Sequence, residues 1–454
     1  MTRVIELNDA GVVLADDGRV VATSPGYALL EESGPVLGEP ARAVSRIHPA
    51  RINNQFWSEL ATRPLQRTVA GARSHADLAY LHLRELLAGR PDSTDCTLLV
   101  PAEMGLGELG LLRAIAQTAG LGRARIIDTA VAAARAVPAS GRLVYIDIEL
   151  HRATLTELRA GADIERGRVL AVPGTGQLAF LQRWLETIAR DMVFATRFDP
   201  LQQGATEQAL VDAIPGLTRE AVIQGRVTLA LGPENNRHRI EITREQLVAA
   251  SATLADEIVT QLHRLRWAGE RSTIALGARA AALPGLAERL AELPDTECYA
   301  LEISSPIAAV SGANAPAGED AAERATMLAS LPDGARAALG ATAVPAGGGA
   351  PVTAPSHLLY RGQAIALDGE SLTIGTAVTA AGRALNVAGA TAGVSRAHCT
   401  VLRQGNDLMV FDHSSYGTWL NDERVAHGAR LRAGDKLRLG APGIVLELIA
   451  LDAH

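Results

Sequence analysis

Apolar positions over the first three hundred residues switch between two periods. Val4–Leu7, Gly11–Asp16 and Cys96–Pro101 are short aliphatic runs bounded by turn residues. They read as strands, the first two as a hairpin. Leu143–Leu150 and Ala153–Leu158 repeat the strand-pair pattern, and Ser272–Gly277 adds a further strand. Between these the spacing becomes helical. Leu111, Leu112, Ile115 and Ala116 share one face of a helix over Gly107–Ala119, and Gln177–Val193 and Arg244–Trp267 read as long helices. Gly285–Leu293 reads as a helix after the 272–277 strand. The alternation predicts an α/β region with mixed sheets in two similar halves. From Leu372 onward only short strands with turn signals remain: Leu372–Gly375, His398–Arg403, Leu408–Asp412, Thr418–Asn421, Leu437–Gly440 and Ile444–Ala450. That pattern predicts an all-β sandwich.

The two regimes are separated by Pro316–Pro355, an Ala, Gly and Pro stretch without the aliphatic spacing to bury a face, save for a short helix expected around 321–331. A flexible linker is the expectation. The chain then divides into an α/β domain over 1–316, a linker over 317–356 and a β module over 357–454.

Composition narrows the chemistry. The 454 residues carry 43 basic and 50 acidic side chains, a net charge of −7, and every basic residue but Lys436 is arginine. A Walker A loop, a pyridoxal Schiff base and a kinase phosphate-binding site each require a lysine in the pocket, and Lys436 fits none of those motifs. Aromatic residues make up 3% of the chain, so stacking platforms for single-stranded nucleic acid are few. The acidic balance without a basic block points the same way. Cys96, Cys298 and Cys399 are widely spaced, which argues against a disulfide framework or zinc site and for a reducing cytoplasm. The first residues build no signal-peptide core, and no run is apolar enough for a membrane span. No Ser-His-Asp set, H-E-x-x-H or calcium loop is present.

Four segments of the C-terminal module carry a resemblance. Leu372-Thr-Ile-Gly375, Gly393-Val-Ser-Arg-Ala-His398, Asp412-His-Ser-Ser-Tyr-Gly-Thr-Trp-Leu-Asn421 and Leu431–Gly440 together resemble a forkhead-associated (FHA) domain. In that family, loops at one end of a β-sandwich hold a phosphothreonine peptide. The resemblance implies that Ser395 donates to phosphate, that His398 braces its loop, and that Gly375, Ser415, Gly417, Thr418 and Asn421 belong to the recognition loops. Two positions depart from the family: Thr376 replaces an arginine and Tyr416 an asparagine. Losing a bidentate arginine removes a charged hydrogen bond of about 1.5–3 kcal/mol. Arg383 or Arg396 offers a replacement; a phosphate-independent protein contact is the other reading.

Six segments of the first domain resemble, in order, the actin/DnaK-type ATPase fold of the heat-shock chaperone type. They are Val4–Gly11, Leu98–Ala102, Asp128–Ala134, Leu143–Asp147, Leu276–Leu286 and Pro306–Ala313. The resemblance implies a two-lobed fold with Asp9 and Gly11 on a first phosphate hairpin, Asp147 on a second, and Gly277 and Arg279 in the adenosine segment. Asp9 and Asp147 alternatively read as turn or cap residues, Glu103 as a helix cap, and His151 and Arg152 as solvated. The glycines expected after Asp147 are Glu149, Leu150, His151 and Arg152, the first-hairpin threonines are Val12 and Val13, and residues 1–356 contain no lysine. Phosphate cradles need glycine backbone close to oxygen. These replacements therefore imply a degenerate, non-catalytic ATPase fold.

Ile47–Trp57 concentrates Arg51, Phe56 and Trp57 among amides. It reads either as a partner-docking segment or as a loop packing its aromatics inward. The combined expectation is a cytoplasmic adaptor: a two-lobed α/β actin-like pseudo-ATPase joined by a flexible linker to an all-β FHA sandwich. It would bind protein partners, with phosphothreonine as a possible feature, and need no metal or cofactor. The alternative is an active ATPase, using ATP and Mg, whose lobe closure regulates the FHA module.

Overall fold

A computed structural model describes the chain except residues 1, 92–94, 123, 139, 234–236, 312–326, 333–339, 346–354, 368–370, 380–381, 390–391, 405–406 and 451–454. The chain forms two compact units. The first comprises Met1–Ile258, Thr273–Leu290 and Cys298–Pro345, the second Val259–Ser272, Ala291–Glu297 and Ala346–His454.

The first unit is mixed α/β and contains two sheets built alike. In the five-stranded sheet, Thr2–Glu6, Val12–Asp16 and Arg19–Ser24 run antiparallel in sequence order. Thr2–Glu6 then pairs parallel with Asp95–Val100, and that strand with Arg125–Asp128. In the seven-stranded sheet, Gly141–Ile148, Arg152–Ala160 and Asp163–Pro173 run antiparallel, and Gly141–Ile148 pairs parallel with Ser272–Leu276. The central strands are buried, as aliphatic runs in α/β sheets are. Val12 and Val13, for example, are core residues.

Helix ends follow from their caps. Gly105 precedes the Leu106–Thr118 helix, and the Glu108 carboxylate accepts its amide at 2.8 Å, so Glu108 caps the helix that Glu103 was expected to cap. Asp128 caps Thr129–Ala134, accepting the Ala130 amide at 2.8 Å.

Several elements differ from the sequence pattern. Gly204–Gln224 is a 21-residue helix, despite Pro215 in its interior, because Leu210, Val211, Ile214, Leu217 and Ala221 form one buried face. The region expected as linker contributes Ser330–Pro332 and Ala341–Val344, which pair with Asp163–Pro173 and Thr296–Leu301 at the two edges of the seven-stranded sheet. Of the helix expected around 321–331, residues 321–326 lie outside the described residues, and Ser330 and Leu331 are strand. The Phe56–Trp57 pair is buried, 0% and 7% exposed, so it packs inward and offers no docking surface. Its anchor is His82, whose Nδ1 accepts from Trp57 Nε1 at 3.0 Å, while its Nε2 lies 2.7 Å from Ser24 Oγ. Burial lowers the His82 pKa to about 4. Arg51 is exposed at the end of a short turn, Pro49–Arg51.

The second unit is a β-sandwich. One sheet contains Leu372–Gly375, Arg383–Asn386, Cys399–Gln404, Asp407–Asp412 and Ala429–Arg430. The other runs in order Trp267–Ala268, Glu423–Val425, Thr418–Leu420, Lys436–Leu439, Ile444–Ile449, His357–Tyr360 and Gln363–Ala366. Ile374, Cys399, Val401, Val410, Leu437, Leu439 and Leu446 fill the space between them. The edge strand Trp267–Ala268 begins at the residue where the helix over Arg244–Trp267 was expected to end, and that helix instead stops at His263. Arg266 beside it is buried and donates to the Glu423 carboxylate at 2.6 Å.

Candidate functional site

Candidate residues gather at two loop-lined places, one in each unit. In the first unit, the loop after Thr2–Glu6 meets the loop after Gly141–Ile148. Asn8 Nδ2 donates to Asp147 Oδ2 at 3.0 Å and to the Ile148 carbonyl at 3.1 Å, while the Leu150 amide donates to Asp9 Oδ1 at 2.6 Å. Arg279, following the Ser272–Leu276 strand, donates to Glu6 Oε1 at 2.9 Å and to the Gly11 carbonyl at 2.5 Å. Gly277 permits the approach: a β-carbon there would lie 2.7 Å from the Tyr145 hydroxyl and 2.8 Å from Asp147 Oδ1. Asp9, Gly11, Asp147, Gly277 and Arg279 are thus brought together, and they bond to one another or to their neighbours.

Electrostatics make the place hostile to anions. Burial raises the pKa of Asp9, against the Leu150 amide and the positive charges nearby, and raises that of Asp147 to about 6. Asp9 Oδ2 is buried without a hydrogen-bond partner. Glu149, two residues after Asp147, is buried as well. Its carboxylate accepts from Thr154 Oγ1 at 2.6 Å and Arg152 Nε at 3.0 Å. Burial, reinforced by Glu103, pushes the Glu149 pKa well above the ordinary carboxyl range. Arg152 also pairs with Glu103. His151 Nε2 lies 2.9 Å from the Asn54 carbonyl. The expected solvation of His151 and Arg152 therefore gives way to fixed partners. A triphosphate–magnesium group finds little free positive charge among these residues: beside the carboxyl groups of Asp9, Asp147 and Glu149, both guanidiniums are already paired, Arg279 with Glu6 and Arg152 with Glu103 and Glu149. Beside the place lies a cleft of about 940 Å³, lined in part by Tyr27, Trp184, Arg219, Ile223 and Arg279. Among the described residues no group of three or more His, Cys, Asp and Glu is arranged to hold a metal ion.

In the second unit, His398 organises the loops. The Ser395 amide donates to His398 Nδ1 at 3.0 Å, so the ring proton sits on Nε2, 2.9 Å from the Gly417 carbonyl. One buried imidazole thus fixes the loop before it and the loop of residues 414–418. Burial lowers its pKa, keeping it the neutral connector this geometry requires. The Ser415 amide donates to Ser395 Oγ in a long hydrogen bond of 3.4 Å. Thr376 donates its amide to the Ser395 carbonyl at 3.1 Å, and Gly375 is needed because a β-carbon there would overlap the Arg396 carbonyl. Gly417 has φ 87°, a conformation that favours glycine. Tyr416 projects with 58% exposure, and Arg396 is exposed beside Ser395.

The remaining candidates lie elsewhere or hold the frame. Arg383 is level with Leu372 in the parallel strand pair, whereas Gly375 is level with Asn386. That sets Arg383 about 10 Å along the strand from the Gly375 end and leaves Arg396 as the cation beside Ser395. Thr418 is buried and donates to Asp412 Oδ1 at 2.8 Å. Asn421 turns the chain at φ 50° and spends its side chain on Asp435 and the Lys436 amide. Asp412 and Ser414 had not been singled out. Asp412 Oδ1 accepts the Ser414 amide at 3.0 Å and Ser414 Oγ accepts the Gly417 amide at 2.7 Å, the Asx-type signal of an Asp before serines.

The family model of the FHA domain matches residues 373–440, the stretch that contains all these loops. No curated protein matches the chain. Among the described residues no helix is long and apolar enough to cross a membrane.

Proposed function

We propose that the chain is a non-catalytic adaptor: its FHA module recognises a protein partner through a phosphothreonine, and an actin/DnaK-like body with no remaining ATPase chemistry carries it. The FHA domain implies phosphopeptide-mediated protein interaction. Ser395 Oγ, the Ser415 amide and Arg396 supply the donors that a doubly charged phosphate needs. The actin-like reading of the body is supported by the repeated sheet order, three antiparallel strands whose first is paired in parallel by a later strand.

The observation that carries the non-catalytic reading is the Arg279 clasp on Glu6 and the Gly11 carbonyl. Together with buried Glu149, it puts the protein's own acidic and basic groups where the actin-like resemblance would have a phosphate chain. The test is calorimetric unfolding with millimolar ATP–Mg²⁺. A ligand at 100 times its dissociation constant would add about 2.7 kcal/mol of stability. The expected result is no midpoint shift and no phosphate release; a clear rise with steady release would establish the ATPase alternative instead.

A further inference from the structure

In the second unit, the outer face of the sandwich sheet that begins with Trp267–Ala268 carries a row of four side chains next to the recognition loops. Register places Trp267 opposite Arg424, Arg424 opposite Trp419, and Trp419 opposite Arg438. Directly opposed residues share a face, so aromatic and cationic groups alternate across four strands. The Arg424 guanidinium lies 5.3 Å from the Trp267 ring centroid and that of Arg438 lies 4.3 Å from the Trp419 ring, both within cation–π range. The next residue in the row, Val445, is 51% exposed, so the row faces outward. It starts at the recognition loop: a β-carbon at Gly417 would lie 3.0 Å from both Arg424 Nε and Trp419 Cη2.

We propose that this row is a second recognition surface for the same partner, taking an acidic segment next to the phosphothreonine. This rests on the phosphopeptide reading of the loops. Charge complementarity selects the occupant. Neither Arg424 nor Arg438 has a carboxylate partner among the described residues, and Arg424 is exposed. Each guanidinium lies over an indole, and Arg438 Nη1 also donates to the Gly440 carbonyl at 3.0 Å, contacts that limit rotamer freedom, so a carboxylate meets a preorganised donor. Nucleic acid is a poorer fit, since each indole already has a cation over its ring. Trp267 comes from outside the stretch that matches the FHA family, so the surface is a property of this chain's own assembly of the sheet.

The experiment uses the full chain and four synthetic peptides, phosphorylated or not at one threonine and followed by four acidic or four neutral residues. The acidic phosphopeptide is expected to bind at least tenfold tighter than the neutral one. In Arg424→Gln/Arg438→Gln that ratio falls to about one, and in Arg424→Lys/Arg438→Lys, which keeps the charge, it stays intermediate. Raising salt from 50 to 500 mM compresses the ratio. Equal affinities in the native protein, or a ratio untouched by the glutamine pair, overturns the proposal. If phosphorylation makes no difference, the loop reading fails by itself: tighter binding of the unphosphorylated acidic peptide, lost in the glutamine pair, still upholds the row, and its absence overturns the row as well. Preferential uptake of a single-stranded oligonucleotide, or self-association lost in the glutamine pair, also overturns it.

Discussion

At Glu6–Gly11 and Asp147–Arg152, polar groups turn towards one another; at Ser395–His398 and Ser414–Thr418 they are braced from behind and leave donors in front. Both places use strand-end loops and glycines that allow close approach. In the first, Gly277 lets Tyr145 and Asp147 come in, and Arg279 fills the space that opens. In the second, His398 consumes both ring nitrogens on backbone groups, which keeps the Ser395 hydroxyl, Arg396 and Tyr416 at the surface. A loop pair that saturates its own hydrogen bonds gains stability and gives up a ligand. One supported through a single buried connector keeps both.

Breaking the saturated place should produce the largest effect. Arg279→Ala leaves Glu6, whose side chain is 3% exposed, as a buried charge without its partner. A loss of about 3–5 kcal/mol in denaturant unfolding is expected; a loss below about 1 kcal/mol would mean the clasp is dispensable. The acid sensitivity that His82 alone confers on the first unit comes next. His82 remains neutral in the fold down to about pH 4, while the unfolded chain takes up its proton near 6.5. The unfolded state therefore binds more protons in this window, and stability falls as pH drops through it, by up to about 3 kcal/mol. Asp147 and Asp128, both raised by burial to about 6, act with opposite sign, favouring the fold as pH falls towards 4. The difference in pH slope between the native protein and His82→Gln isolates the histidine contribution, and identical slopes would refute it.

The open place should respond in binding and not in stability. Ser395→Ala is expected to weaken a phosphothreonine peptide by tenfold or more, from the 1.5–3 kcal/mol of a charged hydrogen bond, with an unchanged unfolding midpoint. Titration calorimetry reads the first quantity and scanning calorimetry the second; a lowered midpoint would make Ser395 a structural residue. Thr376→Arg should have the smallest effect, a gain of several-fold, by restoring a guanidinium near phosphate. No gain would show that Arg396 already supplies what the site uses.

Local pattern made the paired strands readable, because hairpin neighbours are close in sequence: Thr2–Glu6 with Val12–Asp16, and Gly141–Ile148 with Arg152–Ala160. The loop residues Ser395, His398 and Gly417 were legible through their motifs. What escaped depends on distant partners. Gly204–Gln224 breaks helix propensity at Gly204, Pro215 and Gly216, and only its packed face compensates. Ser330–Pro332 and Ala341–Val344 are short edge pieces whose neighbours supply the ladder. Glu6 lies 273 residues from the arginine it binds. Phe56 and Trp57 have an interface-like composition, and their burial was decided by His82.

The Trp267–Ala268 strand changes what counts as a portable piece of this chain. A fragment cut to the recognisable C-terminal stretch would contain every recognition loop and still be incomplete. It would uncover the hydrogen-bonding edge of Glu423–Val425. It would also strip Glu423 of the arginine buried against it. Such a fragment invites edge-to-edge aggregation, and a failed pull-down with it would report a damaged sheet, whatever the loops are able to bind.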